Sequence, residues 1–472
     1  TFDSSYPCTA GSPLVLRRAG AERPVLDSGI RIPAGSGGWS VHTGDIYVKD
    51  VAVPEDKYVR VLAMDGRRAM RYRELVGLEG DAAGLELGRC YVQERIDAAT
   101  RRLYVRTGQG DSPDVHDLVF AQNAGDETRD WRDNVAFLFS GSSHVVIDGF
   151  EVRYSGGRAV VFHDGAHHNT IINSLLFHNY AEVEFRSGTH NALWNSEVHE
   201  LGTGDFPWGA FYSGDLMEAQ GGYNPIQMRG DVGQSIVGND IHDAFDLIGA
   251  SFSAEEFGRD ETDIFYNRLY NSSDDAVELD GPGINLRVHG NTFRHAFVAF
   301  SLAPTRTGPT YVTRNTVTYG LTGFKLNNCM GPDQDGHFIV AHNSLMHLLT
   351  CHGTGITSAQ WECDGTVNVF ANKTFRNNAL ASGPTCLSGR AEMSLDYDAF
   401  DPPEGSEDCF RWSTAPNQSE RYTIDELRTA VGLEQNGLTA TEQGEADLGF
   451  TDTDGYRSMD CLPGREGYRD YR

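Results

Sequence analysis

The sequence predicts an all-β chain, a right-handed parallel β-helix in which short strands coil into a solenoid. A small antiparallel β domain is inserted near the N-terminus, and an irregular C-terminal cap carries one short helix. Three observations predict this. An apolar-polar run ending in asparagine or aspartate recurs, at Asp148, Asn173, Asn195, Asn239, Asn267, Asn291, Asn315, Asn343 and Asn372, and self-similarity with turn residues between β runs marks a solenoid. Gly supplies 53 of 472 residues beside frequent Asn, Thr, Val and Phe, without long 3.6-period apolar stripes, which favours short strands and tight turns over helices. A chain of this length also outgrows one ordinary core unless stacked repeats elongate that core.

Taken in order, residues 1–36 form the first turn of the coil, with PVLD at 24–27 matched to VVID at 145–148. Residues 37–128 alternate differently, in runs such as DIYVKDV, YVRVLAMDG and RRLYVRTGQGD joined by Gly- and Asp-rich turns, and read as the inserted antiparallel domain. Residues 129–390 are the β-helix proper. Its repeat positions fall 25, 22, 44, 28, 24, 24, 28 and 29 residues apart, a rung of three strands plus loops of variable length. Parallel crossovers are right-handed almost without exception, which sets the expected hand. The recurrent asparagines are expected to be inward turn residues in αL geometry, stacked in an amide ladder. Residues 391–472 form the cap over the open end, with Thr423 as N-cap of a helix that ends at Gly432.

The formal charge of −28, with 67 acids against 39 Lys and Arg, argues against nucleic acid or an anionic membrane as partner. No run of about 18 apolar residues offers a membrane span. Eight cysteines without CxxC pairs disfavour structural zinc, permit disulfides and suit a secreted or extracellular chain, with Cys351 and Cys363 the best candidate pair. His163, His167 and His168 crowd one turn, where turn and ladder roles suit them better than metal ligation.

The chemistry is expected where the repeat turns acidic, in DDAVELDG, which carries Asp274, Asp275, Glu278 and Asp280. Aligning AFDLIG from Ala244 with AVELDG from Ala276, AFVAFS from Ala296 and GFKLNN from Gly323 puts Asp246, Glu278, Asp280 and Lys325 outward on one sheet, with Glu182 and Glu184 a rung earlier. Adjacent rungs lie about 4.8 Å apart, so Asp246 and Glu278 become neighbours near the roughly 5–5.5 Å spacing of a retaining glycosidase pair. Crowded carboxylates push one another's pKa values apart, as one acid and one base require. A solvated acidic face is the plainer reading. A structural calcium site of Asp274, Asp275 and Asp280 is another. The long interval before Asn239 holds an aromatic loop at 201–231, where Trp208 and Tyr212 offer faces for sugar rings at the rim of a groove also walled by 251–261.

Through the NxΦ rungs, VVIDGFEVR, the RRLYVRTGQGDSP hairpin and DDAVELDG, the chain resembles the parallel β-helix carbohydrate-active enzymes. These comprise glycoside hydrolases with an inserted N-terminal β domain, and polysaccharide lyases. The β-xylosidase-like branch is most similar in domain order, and the resemblance implies an Asp nucleophile at Asp246 and a Glu acid/base at Glu278, with no cofactor and an oligo- or polysaccharide substrate. Asp280 joins the candidate catalytic set, and Asp275, Lys325 and His295 the candidate substrate contacts. The alternatives are a lyase for uronate polymers that uses Lys325, His295 or an Arg as base, with calcium at the Asp pair, and a non-catalytic glycan-binding adhesin.

Overall fold

The computed structural model describes residues 1–6, 8–80, 88–124, 134–199, 224–250, 259–302, 307–320, 322–326, 336–346, 354–357, 373–381, 385–390, 394–401, 408–415 and 418–439. The fold is an all-β solenoid of parallel strands with small antiparallel sheets and, among the described residues, two short α-helices. It divides into two compact units, one of Thr1–Gln227 with His242–Phe245, the other of Met228–Ile241 with the described residues from Asp246 onward.

In the first unit the parallel columns begin at the N-terminus. Leu14–Arg17 pairs with Val145–Asp148, Val25–Asp27 with Glu151–Arg153, and Phe2–Asp3 with Phe137–Ser140. LVLR is therefore the partner of VVID, and PVLD, which the sequence matched to it, belongs to the next column. Residues 30–124 supply two antiparallel sheets, whose shared core includes Val59, Leu62, Tyr91, Leu103, Val105 and Phe120, all at most 2% exposed. This layer is tied to the coil by Arg68, which donates to the carbonyl of Asn179 at 2.9 Å. The approach is close enough that a Cβ at Gly156 would stand 1.9 Å from the carbonyl oxygen of Gln122, so only glycine fits there.

In the second unit three apolar columns run from rung to rung. One is Ile236, Ile264, Val288, Val312, Val340, Phe375 and Leu395; another is Leu269, Phe293, Val317, Leu345, Leu380 and Phe400; the third begins Ile248, Val277, Phe300, Phe324. Nearly all of these side chains are fully buried, and burial of each stabilises the coil by about 1.5–3 kcal/mol.

The asparagine ladder is present, with a correction to its geometry. The backbone N–H and Nδ2 of Asn239 both donate to Oδ1 of Asn267, and the same double bond continues through Asn291, Asn315, Asn343 and Asn378 at 2.9–3.1 Å. The αL residue is the one before each ladder asparagine: Gly238, Tyr266, Gly290, Arg314, His342 and Asn377. Freed of the turn conformation, the asparagine can aim its amide along the axis. Asp148, Asn173 and Asn195 belong instead to a separate, less buried stack, in which Asn173 and Asn195 do carry positive φ. The sixth position of the buried ladder is Asn378, while Asn372 lies outside the described residues.

The cap helix spans Ile424–Ala430. Thr423 is its N-cap, in a capping box with Glu426, which satisfies two of its orphan N–H groups. Cys409 is disulfide-bonded, and Cys351 and Cys363 lie outside the described residues. No described helix is long and apolar enough to cross a membrane.

Candidate functional site

Most coil strands here are three to five residues long, but Arg268–Glu278 runs for eleven and its neighbour Thr292–Ser301 for ten. Both continue through a corner at which other rungs break. The pairing slips at that corner, so that Ser273 and Asp274 stand opposite the single residue Phe297. A bulge of this kind re-aims side chains, and it sits within the acidic segment.

The bulge changes the register that sequence alignment proposes. Val277 pairs with Ile248, and Glu278 with Ser301, which pairs in turn with Lys325. Glu278 and Lys325 therefore share a column two rungs apart, as expected. Asp246 does not align with Glu278. It lies in a bend before the strand Ile248–Ala250, beside Asp275, whose backbone N–H donates to Asp246 Oδ1 at 2.9 Å. One oxygen each from Asp246, Asp274 and Asp275 lies within 4.8 Å of the others.

The acids are also not the solvent-lined face that alternation suggests. Val277 and Leu279 are core residues, so Glu278 faces the other way, yet Asp246, Asp274, Asp275, Glu278 and Asp280 are only 2–6% exposed. Lys325 reaches in and donates to Asp275 Oδ2 at 2.6 Å, leaving Oδ1 of that residue buried without a partner. Ser301 donates to Asp280 Oδ1 at 2.9 Å. Arg259, 2% exposed, donates to the backbone carbonyls of Asp280 and Pro282. Sequence reading named the loop that carries Arg259 but not the residue; its signal was a lone Arg in an acidic stretch.

Burial dominates the electrostatics. It pushes the carboxyls of Asp246, Asp275 and Glu278 well above their ordinary range, and the neighbouring carboxylates push them further. For Glu278 the strongest of those neighbours is Asp246, followed by Asp280 and Asp275. Burial works against the charge on Lys325, but Asp275, Asp274 and Asp280 outweigh it and raise its pKa. Burial drives the Arg259 guanidinium down to about 10, opposed by Asp280 and Glu278.

The candidate cation set also changes, with Asp246 taking the place of Asp280 beside Asp274 and Asp275. Carboxylate oxygens suit a hard divalent ion, which would compete with the Lys325 ammonium for Asp275. His295 stands at the corner of its strand on a φ of 52°, its ring 5.5 Å from that of Tyr319. Trp208 and Tyr212 lie outside the described residues. In the first unit Glu182 and Glu184 are fully buried rather than outward. Glu182 accepts from Asn179, and Glu184 is held between Arg158 at 2.6 Å and Arg186 at 2.9 Å.

No protein-family model matches the chain, and no curated protein sequence does. Among solved structures it is similar to XylC in complex with xylose, at 12% identity and TM-score 0.45, covering 93% of this chain and 75% of that one. It is similar also to the catalytic domain of a GH87 α-1,3-glucanase in complex with nigerose, at 11% identity and TM-score 0.34, covering 80% and 78%. A third is the catalytic unit of a thermostable GH87 α-1,3-glucanase from Streptomyces thermodiastaticus strain HF3-3, at 11% identity and TM-score 0.31, covering 82% and 76%.

Proposed function

We propose that the chain is a glycoside hydrolase whose acid and base are drawn from Asp246, Asp275 and Glu278. The observation that carries this reading is the buried group of Asp246, Asp274 and Asp275, with oxygens within 4.8 Å and one lysine bonded to one member. So many carboxyls in so little water hold fewer charges than groups, and a retained proton is what a general acid at neutral pH needs. Lys325 favours the ionised form of Asp275, which suits that residue to act as base or nucleophile. The proton then resides with Asp246 or Glu278, the donors to the leaving oxygen. Spacing this tight favours the close pair of a retaining enzyme over the wider pair that must admit a water.

The lyase alternative asks Lys325, His295 or an Arg to act as base, and for Lys325 that role needs a depressed pKa. Here the acids raise it. The test is incubation with neutral glycans, xylan and α-1,3-glucan first, and with uronate polymers. We expect new reducing ends from a neutral glycan without the ultraviolet absorbance of an unsaturated uronide. That absorbance, or the absence of product from every glycan, would reject the proposal.

A further inference from the structure

The ladder corner of the second unit carries its αL residues in a column, one on each rung, that includes Tyr266, Gly290, Arg314 and His342. Gly290 shows that the turn needs no side chain there, and αL geometry favours glycine. Tyrosine and arginine stand in the column against a steric cost. Tyr266 is 66% exposed yet held in place. Its ring lies against the backbone of Gly290, where a Cβ would stand 2.7 Å from it, and it meets the stacked rings of Phe265 and His289 at steep angles, with centroids 5.3 and 6.0 Å away. An exposed ring that is already ordered binds a ligand with little entropy left to lose. Two rungs on, about 10 Å along the axis, Arg314 is exposed. Neither it nor His342 beyond it forms a side-chain hydrogen bond or ion pair among the described residues. The chain holds 67 acids against 39 Lys and Arg, and the surface residues Arg268, Arg287 and Arg421 of this unit each meet a carboxylate at 3.4 Å or less. Amid such an excess of acid, Arg314 keeps its guanidinium open to an anion from outside.

We propose that Tyr266 and Arg314 form a glycan-holding site at the ladder corner, separate from the acid corner, that takes a polysaccharide carrying uronate residues. The Tyr266 ring stacks on the apolar face of one sugar. The Arg314 guanidinium binds the carboxylate of another, through the planar fork that arginine presents to carboxylates. Charge complementarity selects this ligand. A chain of formal charge −28 repels a polyanion as a whole, so the fit is to a largely neutral polymer with scattered carboxylates, met by a local cation. An acidic peptide would satisfy Arg314 without needing the face of Tyr266. The site does not depend on the acid corner being catalytic, since holding a glycan requires no chemistry.

The test is affinity electrophoresis of the full chain through gels containing xylan with glucuronate branches, the same xylan after reduction of its carboxyls, or polyglutamate. Wild type and Glu278→Gln are run together, so that cleavage of the glycan does not enter, and the acidic xylan is expected to retard both equally. Arg314→Gln should bind the acidic xylan about tenfold more weakly, the loss of one charge-assisted hydrogen bond, and the reduced xylan as wild type does. Tyr266→Asn, which installs a residue that the column already accepts at Asn377, should weaken binding to both xylans. Both positions are exposed, so the substitutions leave folding intact. No retardation of wild type, retardation unchanged in Arg314→Gln or Tyr266→Asn, its loss in Glu278→Gln, or polyglutamate bound as tightly as the acidic xylan would overturn the assignment.

Discussion

The second unit buries two kinds of polar side chain in the same rungs. At one corner Asn239, Asn267, Asn291, Asn315 and Asn343 each donate twice to the next amide, and Asn378 twice to the Asp398 carboxyl, at 3.1 Å or less. At another Asp246, Asp274, Asp275, Glu278 and Asp280 are as deeply buried, and their best-placed counter-charge is the single lysine Lys325. The first arrangement satisfies neutral groups and stabilises the coil; the second crowds like charges and costs stability. Strain of that kind persists where it serves chemistry, so the two corners are expected to respond to substitution in opposite ways.

The largest effect is expected at the acids. Asp246→Asn should lower glycan hydrolysis by about 10²–10⁴-fold, the contribution of an acid-base group, while the melting temperature holds or rises as one crowded carboxyl becomes an amide. A melting temperature that fell sharply would break the contrast. Next comes Asn291→Ala, which takes away the acceptor of Asn267 and the Nδ2 donor to Asn315 and to the Ile264 carbonyl. At about 1–3 kcal/mol per buried unsatisfied group, urea unfolding should show a loss of about 3 kcal/mol or more, with activity retained while the chain is folded.

A smaller effect sharpens the comparison, because the ladder itself ends on acids. Asn378 donates to Asp398 Oδ1 at 2.8 Å, and the Asp398 N–H donates to Glu434. Burial, foremost, raises Asp398 to about 6 and Glu434 to about 10. A carboxyl whose folded pKa is raised binds its proton more tightly when folded. Its stabilisation is therefore complete below the unfolded value, near 4, and is lost as pH climbs through the folded values. Glu434→Gln keeps a donor toward Asp398 without the titration. Melting curves from acid to alkaline pH should fall less steeply for that variant than for wild type.

The ladder was legible in the sequence because each rung repeats one side chain at one turn, and so was the column shared by Glu278 and Lys325. The register of Asp246 was not. Alignment by the small leading residue assumes equal strands, whereas a bulge of one residue at Ser273 and Asp274, and a bend before Ile248, move Asp246 from Glu278 to Asp275. The αL position was misread by one residue for a related reason: αL falls on Gly238, Gly290 and Asn377 but also on Tyr266, Arg314 and His342, so half of its positions show no turn preference in the sequence. Burial of the acids was illegible too, since alternation tells which face a residue takes and not what covers that face.

The most direct measurement is hydrolysis of a cleaved neutral glycan by Glu278→Gln and Asn291→Ala side by side with wild type, at a temperature where circular dichroism shows all three folded. The account predicts a folded, inactive Glu278→Gln and a less stable but active Asn291→Ala. A Glu278→Gln that hydrolyses at the wild-type rate would contradict it.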